Sequence, residues 1–159
     1  MTVPGKVPSR PAHSGGHGPR RRARVACVRA LYRAEVVGDA PAELARELAS
    51  DETITEEVRS YAHRLISLVA DHAEEIDRIL SAALVRWDLT RLAVTDRCVL
   101  RMGAAEILYE PEVPTRVILD EAIEIAKRYG SGESGRFVNG VLDRVARERR
   151  EESAHREDL

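Results

Sequence analysis

Aromatic side chains are nearly missing from this sequence: its 159 residues hold one Trp, one Phe and four Tyr. An interior must therefore be built from Leu, Val, Ile and Ala. With few β-branched runs, that composition leans towards helix. Cysteine is as sparse. Cys27 and Cys98 stand far apart in apolar stretches, form no C-x-x-C pair and are joined by no histidine cluster at metal spacing. They read as buried free thiols in a reducing compartment rather than as a disulfide framework or a zinc site. No apolar run approaches membrane-spanning length and the N-terminus lacks the apolar core of a secretory signal, so the expectation is a cytoplasmic chain with no membrane partner. Also missing are sustained period-two alternation, a Gly-rich phosphate loop after a strand, H-E-x-x-H and G-x-S-x-G. His63 and His72, nine residues apart, fall off a common helix face. Asp120, Glu121 and Glu124 read as charges on the first half of a helix, where acids suit the macrodipole and Glu124 reaches Arg128 at i+4. No catalytic residue, metal ligand or cofactor is expected.

One further absence is informative. Up to Ala34 there is no acidic residue, while Lys6, Arg10, Arg20, Arg21, Arg22, Arg24, Arg29 and Arg33 supply eight basic ones; the rest of the chain carries 17 basic against 27 acidic side chains. A basic arm on an acidic body points to a polyanion partner for the arm. Guanidinium groups bind phosphate bidentately and stack on bases, which suits an RNA backbone. Tyr32, beside that cluster, either stacks on an unpaired base or anchors its helix in the core.

Along the chain, residues 1–19 are rich in Pro and Gly and read as a disordered basic tail. Residues 20–150 read as one all-helical domain, and 151–159 as a charged C-terminal tail. The stretch "RRRARVACVRALYRAEVVG" opens with Pro19 at a helix start and runs without a breaker to Gly38. Its apolar side is Val25, Val28, Leu31, Tyr32 and Val36; Arg22, Arg29 and Arg33 line another. A short helix enters at Pro41. Thr53 with Glu56 three residues on is a capping-box pattern and opens a long helical stretch, broken near Ala70 to His72. "RWDLTRLAV" is a connector with a buried Trp87. A helix from about Thr95 to Tyr109 is stopped by Pro111 and Pro114, and a further one closes at Gly130 as C-cap. Ser134 is placed to cap the last helix. The expectation is an all-α fold of about seven helices.

The segment "FVNGVL" poses a conflict, because Asn-Gly between apolar residues is a strong hairpin signal. Yet Phe137, Val138, Val141, Leu142 and Val145 keep helical spacing, so the helix reading is the stronger one. Gly140 inside a helix costs about 1 kcal/mol relative to Ala. The offset expected here is close approach of a neighbouring helix backbone, with Asn139 hydrogen-bonding across the contact, Phe137 exposed, and Gly140→Leu overpacking the site.

Together these stretches resemble the NusB family of bacterial transcription antitermination factors, from Arg20 to about Val145. The resemblance is carried by "RRRARVACVRALYRAE", by "WDLTRLAVTDRCVLRMGAAEILY" and, most specifically, by "VPTRVILDEAIEIAKRYGSGESGRFVNGVLDRV". Asp120 departs from the family, which often carries Asn there. The resemblance implies two packed helical subdomains and a non-enzymatic role. It further implies pairing with NusE, a small-subunit ribosomal protein, on the boxA element of nascent ribosomal RNA transcripts. The pair then acts with the RNA polymerase elongation complex and other Nus factors to read through terminators. By position it assigns RNA binding to Arg20, Arg21, Arg22, Arg24, Arg29, Tyr32, Arg101 and Phe137, and partner contacts to Asp96 and Glu133. A homodimer burying the same face is an open alternative to a monomer. Two other readings are kept: an RNA-binding accessory domain of an rRNA cytosine methyltransferase, which this chain fits only as a fragment, and a helical adaptor whose basic arm binds an acidic protein.

Overall fold

In the computed structural model, which describes residues 18–159, the chain forms seven α-helices and no strand among the described residues. They are α1 (Pro19–Val37), α2 (Pro41–Ala49), α3 (Glu56–Asp71), α4 (Ala73–Ala83), α5 (Val94–Tyr109), α6 (Thr115–Tyr129) and α7 (Ser134–Glu157), with a 3-10 turn at Leu89–Arg91. The expected tail lies outside the described residues as far as residue 17; Pro19 is already the first residue of α1. At the other end α7 continues as helix to Glu157, where the sequence suggested a charged tail. Before that extension, Arg144–Glu148 and Arg147–Asp143 pair one helical turn apart along α7.

Helices α1, α2 and α3 pack on one another, as do α4, α5, α6 and α7; α5 also packs on α1 and α3 and so joins the two groups. This central place explains its composition. Ten of its residues are buried, including Arg97 and Glu106, so it has no polar face to give to water. Small side chains at Gly103, Ala104 and Ala105 let neighbours come close. A Cβ on Gly103 would stand 2.5 Å from Leu142 Cδ1 and 3.4 Å from its Cγ, and Leu142 is itself fully buried. Both cysteines are free and buried; burial pushes the Cys98 thiol up to about 11.

Four local readings are corrected. Gly140 lies on the solvent side of α7, with nothing within 4 Å of a Cβ placed there, and Asn139 is exposed beside it. The core side of α7 is Val138, Val141, Leu142 and Val145, and at 100° per residue Gly140 points away from it. The close approach expected at Gly140 occurs at Gly103, and Phe137 is partly buried rather than exposed. Trp87 is 63% exposed, because Leu84 and Leu89 take the inward positions of its connector. The N-cap of α3 is Thr55, whose hydroxyl accepts from the Val58 amide, while Thr53 bonds to Asp51. Gly130 is the C-cap of α6, as the sequence indicated, in an extended conformation (φ −98°). Its glycine is required by crowding: a Cβ there would meet the Ala126 carbonyl oxygen and Ser134 Cβ, each at 2.7 Å.

Candidate nucleic-acid interface

The arginines that the sequence groups together are distributed by α1 around its circumference. Arg24 shares a face with Cys27, Val28 and Leu31 and is only 2% exposed. Its guanidinium takes Glu106 of α5 as a fork, Nε to Oε1 at 2.5 Å and the terminal nitrogen to Oε2 at 2.8 Å. The Tyr61 hydroxyl donates to the same Oε2 at 2.8 Å. Burial works against the Arg24 charge, but the hydrogen bond and charge of Glu106 outweigh it and hold the group above its ordinary value. Burial and Glu106 likewise push the Tyr61 phenol up. In this arrangement Arg24 is buried and paired, and it fixes α1 to α5.

The other basic residues divide into occupied and open. Arg21 is tied to Glu121 of α6 through two hydrogen bonds of 2.8 and 3.1 Å. Arg101 is held by Asp77 at 2.9 and 3.0 Å, with Glu35 at 3.7 Å. Both guanidinium forks are filled by carboxylates, so a phosphate would have to displace them. Arg20, one turn before Arg24, lies over the Tyr61 ring at 4.3 Å from its centroid and is exposed. Arg22 and Arg29 are exposed on the opposite side of α1. Arg20 borders a cavity of about 630 Å³ that also has Glu57, Asp71, Glu110 and Glu112 on its walls. Those acids make that cavity a poor seat for an anion.

A second constellation gathers residues distant in sequence. Asp96, Glu133 and Phe137 line one cavity of about 240 Å³ together with Trp87 and Arg91. Trp87 meets Phe137 edge-on, with ring centroids 6.0 Å apart. Asp96 Oδ1 is buried there without a hydrogen-bond partner among the described residues, an arrangement that favours a donor arriving from outside. Trp87 belongs to this surface though the sequence placed it in the core. Tyr32 is 44% exposed on α1, three residues before Glu35, which is ion-paired with Arg97. Arg97 in turn donates to the carbonyls of Leu89, Thr90 and Leu92, next to the Trp87 cavity. The signal that placed Arg24 inside was legible in Cys27, Val28 and Leu31 at i+3, i+4 and i+7. That for Glu106 was its apolar setting, Ala104-Ala105 before it and Ile107-Leu108 after.

Among the described residues, no helix is long and apolar enough to cross a membrane. Residues 21–147 match the family model described as the NusB family. The chain is 43% identical over 129 residues to the transcription antitermination protein NusB of Sorangium cellulosum, covering 81% of this chain and 92% of that one. It superposes on a structure of Thermotoga maritima NusB with a TM-score of 0.76 at 44% identity, covering 82% of this chain and 92% of that one. A crystal structure of antitermination factors NusB and NusE in complex with dsRNA matches with a TM-score of 0.73 at 29% identity, covering 81% and 96%.

Proposed function

The chain belongs to the NusB family of transcription antitermination proteins, and from that premise we propose that it binds boxA RNA of nascent ribosomal transcripts together with NusE and promotes read-through by the RNA polymerase elongation complex. It works in the cytoplasm, with the other Nus factors, as a binding protein and not as an enzyme. The observation that carries the RNA reading is the state of the arginines at the start of α1. Arg20, Arg22 and Arg29 are exposed and form no ion pair among the described residues, on a helix whose neighbouring Arg24 is pinned in the core. Unneutralised guanidiniums held on a fixed helix give phosphate affinity with little ordering cost.

Phosphate contacts supply affinity and orientation but little sequence choice. Selection of single-stranded boxA falls to stacking and base-edge contacts by Phe137 and Tyr32, shared with NusE. Asp96 and Glu133, at the Trp87 cavity, are placed to receive NusE donors. Arg21 and Arg101 join the RNA surface only by exchanging carboxylate for phosphate. The test is a fluorescence titration of a boxA oligonucleotide and a scrambled one, with and without NusE. The expected result is weak binding by the protein alone and tight, boxA-selective binding by the pair. Equal affinity for both RNAs in both conditions would overturn the proposal.

A further inference from the structure

Arg22 and Arg29 stand two helical turns apart on one side of α1, with Val25 and Ala26 between them. No helix covers that side. With the connector between α2 and α3 and the C-terminal end of α6 it walls a groove of about 600 Å³. The floor is aliphatic, formed by Val25, Leu48, Ile54 and Val58. At its rim the guanidiniums of Arg29 and Arg128 both lie over the ring of Tyr129, at 5.8 and 5.5 Å from the centroid. Among the described residues Arg22, Arg29 and Arg128 form no ion pair. The cations around them are neutralised: Arg21 by Glu121, and Arg33 by Asp39 and Glu47. Glu124, one turn before Arg128, is paired with Lys127 instead.

Three unneutralised cations beside an apolar slot suit a ligand with an anionic edge and a flat, uncharged body. An acidic peptide would use the cations and leave the floor uncovered; a nucleotide uses both. We propose that this groove takes one unpaired nucleotide of single-stranded RNA flanking boxA, its phosphates on Arg22, Arg29 and Arg128 and its base on the aliphatic floor against Tyr129. Asp51 decides the edge. Its Oδ1 accepts from the Thr53 amide and hydroxyl, at 2.9 and 2.5 Å. Those bonds hold its carboxyl below the usual range, and Oδ2 has no protein donor among the described residues. A carboxylate there repels phosphate and accepts from an exocyclic amino group, so a base carrying one is preferred over uracil. The inference rests on the RNA reading above and extends the RNA path around α1 to the end of α6.

The test uses the full chain paired with NusE and two labelled oligoribonucleotides, boxA alone and boxA with four added nucleotides on each side. For Arg128→Glu, an exposed position, we expect roughly tenfold weaker binding of the extended RNA and a salt slope shallower by about one unit, with boxA alone unaffected. With cytosine flanks the wild-type pair binds more tightly than with uracil flanks, and Asp51→Asn removes that difference. Unchanged binding of both RNAs by Arg128→Glu overturns the groove, as does an equal loss on both. A Glu-rich peptide competing as well as RNA of equal charge also overturns it, since the base then plays no part. Failure of the wild-type pair to distinguish boxA from a scrambled RNA is a separate result and removes the RNA reading itself.

Discussion

Arg24 and Arg22 are two residues apart on one helix, and α1 gives them opposite fates. On its inner side Arg24 meets Glu106 and Tyr61 in a buried network, its Nε and one terminal nitrogen taken by the carboxylate; on its outer side Arg22 and Arg29 form no ion pair among the described residues and face a groove whose one acidic lining residue is Asp51. The inner cluster is a structural joint between α1 and α5. The outer one carries the charge that a polyanion can use. The same side-chain chemistry thus serves attachment or binding according to whether another helix covers it. Fixing α1 by Arg24 also holds its outward arginines in place, since a helix that cannot rotate presents one side.

The largest effect should come from the inner side. Glu106→Leu leaves the Arg24 charge buried without a partner and is expected to cost roughly 3–5 kcal/mol in urea denaturation. Combining it with Arg24→Met should recover most of that loss, because an apolar pair of similar volume replaces a desolvated ion pair. Next, Gly103→Ala, where α5 meets Leu142, should destabilise by about 1–3 kcal/mol through overpacking. On the outer side of α1, Arg22→Ala with Arg29→Ala should change stability by no more than about 0.5 kcal/mol. Its RNA affinity should nevertheless fall roughly tenfold, with a slope of log affinity against log salt shallower by about one unit for each phosphate no longer neutralised. If that double variant unfolds as readily as Glu106→Leu, the distinction between the two sides fails. The smallest effect is a gain: Gly140→Ala, exposed with nothing within 4 Å, should stabilise by about 0.5–1 kcal/mol in thermal melts.

The helices themselves were legible. Pro19, Pro41, Pro111 and Pro114 punctuate the chain where helices begin or are interrupted, and the break between α3 and α4 falls at His72 as the spacing indicated. The "FVNGVL" segment is helical because its apolar residues repeat at the helical period, which outweighs a two-residue turn signal. Less of the interface could be read. The arginine cluster was visible as composition, but its division into paired and open members was not, since Glu121 and Glu106 stand 100 and 82 residues from their partners. Trp87 was misplaced for the same reason: a lone aromatic in a connector is sent inward or outward by what its neighbours have already filled.

What the sequence determined by itself is local: where the chain coils, which side of each helix is apolar, and that positive charge collects at the start of α1. Periodicity, capping chemistry and proline act over a few residues and need no partner. Tertiary structure decided the rest. It brought Glu106 to Arg24, Asp77 to Arg101, and Asp96 to Glu133 and Phe137, and left Arg22, Arg29 and Arg128 without an ion pair among the described residues. Whether a charge is used in the fold or remains free for a ligand depends on which helix packs over it, and packing between distant segments is set by the shape and area they bury together.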